Sequence, residues 1–344
     1  MQACAEGIPF DVLAPAPRNP GALLAWIDRH CLAGLVATSP SHLPAGEAFV
    51  TALHARARQS TLRALRHAAA TVRTVQSLAA TGIDAIPLKG AVLADQLYGD
   101  PAIRDVRDAD LLIRPYHLLE ADSLLLASGF AREWPTRLPP PESRTFRRLL
   151  RDGYHFEYKH PTEKVNVEVH WRLPGWSSAA VEAIWEASEV RSWRGVPVRQ
   201  LANDSLLLLL LCDHGAQHRW FRLKWLVDVA VLLPRVSDCR GLLALAEQLD
   251  LERPLGQAAA LCTRIFGSPV PDELRALADR RECQWLTAEA LESIAAPAEH
   301  YFSPRRSICQ RLRRKQYHSR LRTRSTPWRL PLWPFLWLHE TFAI

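Results

Sequence analysis

Between Ile83 and Pro115 the chain reads IDAIPLKGAVLADQLYGDPAIRDVRDADLLIRP, and no other stretch restricts the possible folds as strongly. The apolar run Ile83–Leu88 predicts a strand, Lys89-Gly90 a turn and Ala91–Leu97 a helix. A loop carrying Arg104 and Arg107 follows, then a second strand that starts Asp108-Ala109-Asp110 and runs into Leu111-Leu112-Ile113. Strand side chains alternate with period two, so Asp108 and Asp110 are expected on one face, where a carboxylate pair suits a divalent metal. The bland alternative is a solvated acidic loop of Asp105, Asp108 and Asp110. An isolated Asp-x-Asp is a weak signal, and the preceding strand, turn and helix are what favour the metal reading.

Downstream, Pro115 suits the first turn of a helix running to about Ser128. Residues 135–141 read as a loop, and Ser143–Arg151 as a short basic helix. Tyr154–His160 and Lys164–Arg172 read as two strands joined by a turn at Pro161. Alternation places Val165, Val167 and Val169 on one face and Asn166, Glu168 and His170 on the other. The strand could be aligned so that His170 or Asn166 faces the metals, yet Glu168 is the only acid in Val165–Leu173, so by elimination it is the third candidate carboxylate. From the capping cluster Asn203-Asp204-Ser205 onward, helices are expected near 204–217, 221–233, 239–249, 254–266, 271–281 and 284–295.

Ahead of the central stretch, residues 1–20 are rich in Pro and Ala, and helical patterns cover Gly21–Gly34 and Ala45–Ala80, with Pro40 and Pro44 between them. In the longer segment Leu53, Leu62, Leu65, Val72, Val75 and Leu78 mark an expected apolar side. Arg56, Arg58, Arg63, Arg66 and Arg73 read as a solvated face in preference to a substrate-binding surface. The fold class is therefore α+β, divided as 1–80 (lead-in and helices), 81–200 (a small mixed sheet), 201–300 (a helical bundle) and 301–344 (a tail).

Composition excludes several function classes. A hydrophobic share of 48% with 23% charged residues is that of a globular chain. The seven cysteines are scattered and include no Cys-x-x-Cys, so neither a disulfide framework nor a zinc knuckle is indicated and a reducing cytoplasm is expected. The opening MQACAEGIPFDVLAPAPRNP lacks the basic start and apolar run of a signal peptide. The longest strongly apolar run, Leu206–Cys212, is far below the roughly 20 residues that span a bilayer. Residues 300–344 hold ten Arg or Lys against Glu340 alone, while the rest of the chain is close to neutral. That basic tail, ending in WRLPLWPFLWLHETF, fits an anionic partner, either a membrane surface or a nucleic acid, and equally a segment that packs back onto the domain or meets a partner protein.

The strand, the Lys89-Gly90 turn, the helix ending near Tyr98, Arg104 and the Asp-x-Asp strand together resemble the uncharacterised branch of the nucleotidyltransferase superfamily, which has the DNA polymerase β palm fold. VEVHWRL (Val167–Leu173) and HGAQHRWFRLKWLVDVA (His214–Ala230) extend the likeness more weakly, over roughly residues 80 to 232. Common superfamily members have a Gly-Ser pair nearer the acids. Here Lys89-Gly90 stands in its place, 18 positions before Asp108 when counted from Gly90, which fits the uncharacterised branch.

The resemblance implies a palm flanked by an N-terminal helical segment and a C-terminal bundle. It also implies Mg2+-dependent transfer of a nucleoside monophosphate from an NTP such as ATP to an acceptor hydroxyl on a small molecule, a sugar or a peptide. Asp108, Asp110 and Glu168 would hold two Mg2+ ions, and Lys224 and Asp228 would shape the nucleotide or acceptor cleft. The residues themselves support phosphate binding at Lys89 and Gly90, because a helix N-terminus presents free N–H groups and the positive end of its dipole. Arg104 and Arg107 are secondary phosphate candidates, and His170 and Trp171 line the expected cleft, with Trp171 stacking on a base. His214 and His218 share a helix face and suit zinc by spacing, but no third ligand is evident, so a structural role is preferred. Two other function classes compete: a catalytically silent palm-fold scaffold, marked by a missing acid, and an enzyme that adds nucleotides to RNA through the basic tail.

Overall fold

A computed structural model describes residues 19–38, 46–296 and 308–323. Three helices open it: α1 (Pro20–His30), α2 (Ala33–Ala37) and α3 (Glu47–Ala80). Asn19 caps α1 by accepting from the backbone N–H of Gly21 and Ala22 at 3.0 and 3.1 Å. The central stretch then forms β1 (Ala85–Pro87), α4 (Gly90–Tyr98) and β2 (Ala109–Ile113). A 3-10 turn at Pro115–His117 leads into α5 (Leu118–Ala127), β3 (Ala131–Trp134), α6 (Arg144–Asp152), β4 (His155–His160) and β5 (Val165–His170).

Five strands pair in the order β1-β2-β5-β4-β3, with β2 and β5 parallel and the other pairs antiparallel. Each inner strand separates its residues by face. Leu111, Ile113, Phe156, Tyr158, Val167 and Val169 pack with Val75 and Leu78 of α3 into one core. The opposite face carries Asp110, Glu168, His170, His155 and Glu157, with Asp110 opposite Glu168, Glu157 opposite Glu168 and His155 opposite His170. The small mixed sheet expected within 81–200 is this five-stranded one. After α7 (Ser178–Glu186), β6 (Ser188–Trp193) and β7 (Val196–Leu201) form a separate two-stranded hairpin, and β3 is an additional edge strand.

The bundle follows as α8 (Asp204–Gln217), α9 (Leu223–Leu232), α10 (Cys239–Gln248), α11 (Glu252–Phe266), α12 (Asp272–Ala278) and α13 (Arg281–Ala295). Asn203 caps α8 by accepting from Leu206 N–H at 2.9 Å. Leu206 to Leu211 are all buried, so α8 is apolar around its whole circumference and sits at the centre of a core shared with α9, α11 and the N-terminal helices. Burying each such leucine contributes roughly 1.5–3 kcal/mol relative to exposure. Among the described residues no helix is long and apolar enough to cross a membrane.

Hydrophobicity alone misplaces one face of α3. Leu62 and Leu65, expected on the buried side, are 55% and 47% exposed. The buried stripe there is Ser60, Ala64, His67 and Thr71, because the helix lies close over the loop before β2 and only short or hydrogen-bonding side chains fit. Ser60 Oγ donates to Asp105 at 3.4 Å, and His67 Nε2 accepts from Asn166 N–H at 3.3 Å. Arg58, Arg66 and Arg73 are exposed as expected, while Arg63 turns inward to pair with Asp105.

The described part of the tail is a helix, α14 (Ile308–Arg320), that packs back onto the bundle. Tyr317 is fully buried and donates to the Ala216 carbonyl at 2.9 Å, and Arg322 pairs with buried Asp213 at 2.7 Å. The Trp-rich segment after residue 323 and the lead-in before residue 19 lie outside the described residues.

His30 joins α1 to the start of α9: it is 0% exposed and its Nδ1 accepts from Leu223 N–H at 3.2 Å. Burial, and then neighbouring Arg29, depress its pKa to about 3. The unfolded chain takes up this proton near pH 6.5 and the folded chain does so only near 3, so the stability it contributes is lost as pH falls between those values. We expect a loss of about 2 kcal/mol from this residue between pH 7 and pH 5. Urea unfolding at both pH values should show a smaller difference in His30→Asn; equal differences in the two proteins would reject the assignment.

Candidate active site

The site starts at the turn between β1 and α4. Lys89 is the N-cap of α4 in extended conformation, and Gly90 has a φ of +74°. A Cβ at Gly90 would come within 3.3 Å of the Asp108 carbonyl oxygen, so glycine serves both the backbone twist and the approach of the Asp108 strand. The first N–H groups of α4 thus lie beside the start of β2.

Lys89 reaches across this junction. Its Nζ is 3.0 Å from Asp110 Oδ1 and 3.4 Å from His214 Nδ1 on α8, so it links the sheet to the bundle. His170 Nε2 approaches the same Asp110 oxygen at 3.2 Å and Glu168 Oε2 at 3.3 Å. One ligand atom each from Asp110, Glu168 and His170 lies within 4.8 Å of the others, a donor set that suits a divalent cation. Asp108, expected with Asp110 and Glu168, does not join them within that distance. It falls one residue before β2, where strand alternation is not enforced.

The charges are strongly interdependent. Burial alone would raise Asp110, but Lys89 and His170 hold it well below the usual carboxylate range. Burial, followed by the charges of Asp110 and Glu168, pushes half-buried Asp108 up to about 6. Burial opposes charge on both Lys89 and His170, and the neighbouring carboxylates outweigh it, raising both. Both side chains are thus biased toward their charged forms beside the acids.

Other expected site residues occupy the framework around this centre. Arg104 and Asp228 are buried and pair with each other, with Arg104 Nε 3.0 and 2.9 Å from the two carboxylate oxygens. Tyr98 donates to Asp228 at 2.8 Å. Lys224, 5% exposed, donates to the Asp105 carbonyl at 2.9 Å. These contacts tie the loop before β2 to α9. Arg107 bonds Asp105 at 3.0 Å with 45% of its side chain exposed. Burial would raise the Asp105 carboxyl, but Lys224, Arg107 and Arg63 take it down to about 2.

The expectation that Trp171 stacks on a base is corrected. Its indole is 2% exposed, donates to the Leu150 carbonyl at 3.0 Å and meets Phe156 edge-on in the core behind the sheet. It lies one residue beyond β5, and the odd-numbered face of that strand is the apolar one.

His214 and His218 pack against one another at 4.7 Å and against Trp225 at 5.0 and 5.1 Å. Burial, and then Lys89, lower both, His218 to about 3, so both rings are neutral. Among the described residues they gain no third metal-ligating partner. His155 and Glu157 join the site without a motif that singles them out. His155 Nε2 lies 3.0 Å from Glu157 Oε1, and its ring is 5.1 Å from that of His170. The alternation His155, Glu157, Lys159 along β4 is the signal that marks them.

A family model described as an uncharacterised nucleotidyltransferase matches residues 16–267, a span from ahead of α1 to the end of α11 that extends the resemblance at both ends. No curated protein and no solved structure matches the chain.

Proposed function

From the premise that the chain belongs to this nucleotidyltransferase family, we propose that it moves a nucleoside monophosphate from an NTP to an acceptor hydroxyl and releases pyrophosphate, with Mg2+ as the expected ion. The observation that carries the reading is the convergence of Asp110, Glu168 and His170 within 4.8 Å, beside the N-terminus of α4. Divalent ions bound there, two in the full proposal, would neutralise phosphate charge and make the acceptor hydroxyl easier to deprotonate.

The chain's own residues divide the remaining work. Asp110 and Glu168 supply carboxylate oxygens on adjacent parallel strands. Asp108 is raised by burial and then by the negative charge of those two, so a cation held by them would offset that repulsion and favour its ionised form beside the site. Backbone N–H groups at Gly90 and Ala91 face a phosphate with the positive end of the α4 dipole. Lys89 exchanges its contact with Asp110 for one with the pyrophosphate being released. Arg107, the more exposed of the two loop arginines, assists. The acceptor is a small molecule, a sugar or a peptide, and residues 81–200 act as the catalytic palm beneath a helical domain at 201–300.

Screening the four NTPs with Mg2+ for protection against unfolding tests the reading. A ligand at 100 times its dissociation constant adds roughly 2.7 kcal/mol. Protection by none of the four, together with no pyrophosphate release, would reject it. Lys89→Ala should weaken ATP about ten- to a hundredfold and AMP much less, since a charge-assisted hydrogen bond contributes roughly 1.5–3 kcal/mol. Equal losses for both nucleotides would assign Lys89 to bracing the β1–α4 turn.

A further inference from the structure

We infer that His170 is a direct metal ligand, and that the Asp110–Glu168–His170 set selects a first-row transition ion such as Mn2+ over Mg2+. This rests on the metal-dependent reading above and refines which ion the site takes.

The first support is position. His170 Nε2 stands 3.2 Å from Asp110 Oδ1 and 3.3 Å from Glu168 Oε2, so the imidazole fills the third corner that an all-carboxylate set would give to Asp108. Adjacent donors on an octahedral ion with bonds of about 2.1 Å are roughly 3.0 Å apart. The two nitrogen-to-oxygen separations are close to that value and the two carboxylate oxygens lie within 4.8 Å of each other, so the three donors could converge on one ion.

The second support is rigidity. His170 is 5% exposed, and its ring lies beside His155 at 5.1 Å and Tyr154 at 6.2 Å, in a strand paired on both sides. The ring is packed away from solvent with Nε2 directed at the two carboxylates. Asp110 is equally fixed at 2% exposure.

The third support is donor chemistry. Mg2+ is a hard ion that prefers oxygen and retains its waters, whereas first-row transition ions accept an imidazole nitrogen more readily, Mn2+ the least of them and the later ions most. Replacing one carboxylate by a neutral nitrogen donor therefore lowers Mg2+ affinity more than that of Mn2+. A preference of about tenfold is expected.

Full-length protein freed of metal and titrated with Mn2+ tests the assignment by electron paramagnetic resonance. The expected result is loss of the free Mn2+ signal at one ion per chain or more, with spin-echo modulation from a directly bound 14N. Incorporation of 15N-histidine should change that modulation, a readout that needs no variant. In His170→Asn the nitrogen modulation should vanish, and the Mn2+ over Mg2+ preference, read by competition, should fall about tenfold; His170→Gln serves if the first variant folds poorly. Absence of Mn2+ binding, bound Mn2+ without nitrogen modulation, or an unchanged ion preference in the folded variant would each overturn the assignment. Histidine-bound Mn2+ in a protein that transfers no nucleotide would uphold it and defeat the proposed reaction. Turnover with Mg2+ and no nitrogen coupling would do the reverse.

Discussion

Asp110→Asn should lower nucleotide transfer by about a thousandfold, roughly 4 kcal/mol of transition-state stabilisation, while moving the melting temperature by only a few degrees. The catalytic loss follows from replacing a charged oxygen ligand by an amide at the centre of the donor set. The small effect on stability follows from two opposed contributions. Asp110 anchors Lys89 at 3.0 Å and His170 at 3.2 Å, and it also repels Asp108 and Glu168. Removing its charge weakens the first and relieves the second. Transfer assays and thermal unfolding of the same preparation measure both quantities. Activity within tenfold of the parent would remove Asp110 from the chemistry, and collapse of the fold would show that the Lys89 pair outweighs the repulsion.

Asp228→Asn should have the opposite signature: a loss of about 3–5 kcal/mol in stability and no selective loss of triphosphate binding. Asp228 is 0% exposed and receives Arg104 through both carboxylate oxygens as well as the Tyr98 hydroxyl. The asparagine leaves a buried guanidinium without its counter-ion, and desolvation then dominates. Exchanging both partners, as Arg104→Met with Asp228→Leu, should recover part of the loss because no charge is stranded. Denaturant unfolding and the ratio of ATP to AMP affinity decide between a brace and a nucleotide contact. Stability within about 1 kcal/mol of the parent, with ATP binding weakened alone, would return the pair to the cleft.

Features encoded by neighbouring residues were legible without coordinates. The strand, Lys89-Gly90 turn and helix lie where the apolar run and the glycine place them, since a helix start and a φ of +74° depend on a few adjacent residues. The six bundle helices follow capping and spacing, as with Asn203 ahead of α8. Alternation along β5 correctly separated Val165, Val167 and Val169 from Glu168 and His170. Apolar patterning misjudged part of α3, where Ser60 bonds Asp105 and His67 bonds Asn166 in the interior while Leu62 and Leu65 stay outside.

The sequence by itself determined which residues share a face within one element, because backbone periodicity is local. Which faces meet was decided by tertiary structure. Parallel pairing of β2 with β5 sets Asp110 opposite Glu168, and β4 brings His155 and Glu157 alongside. Lys89 meets His214 across 125 positions of chain, and Arg104 meets Asp228 across 124. A charged side chain's spacing does not reveal whether it will find a phosphate or a buried counter-ion. That choice depends on the desolvation and pairing available once the sheet and the bundle have closed on each other.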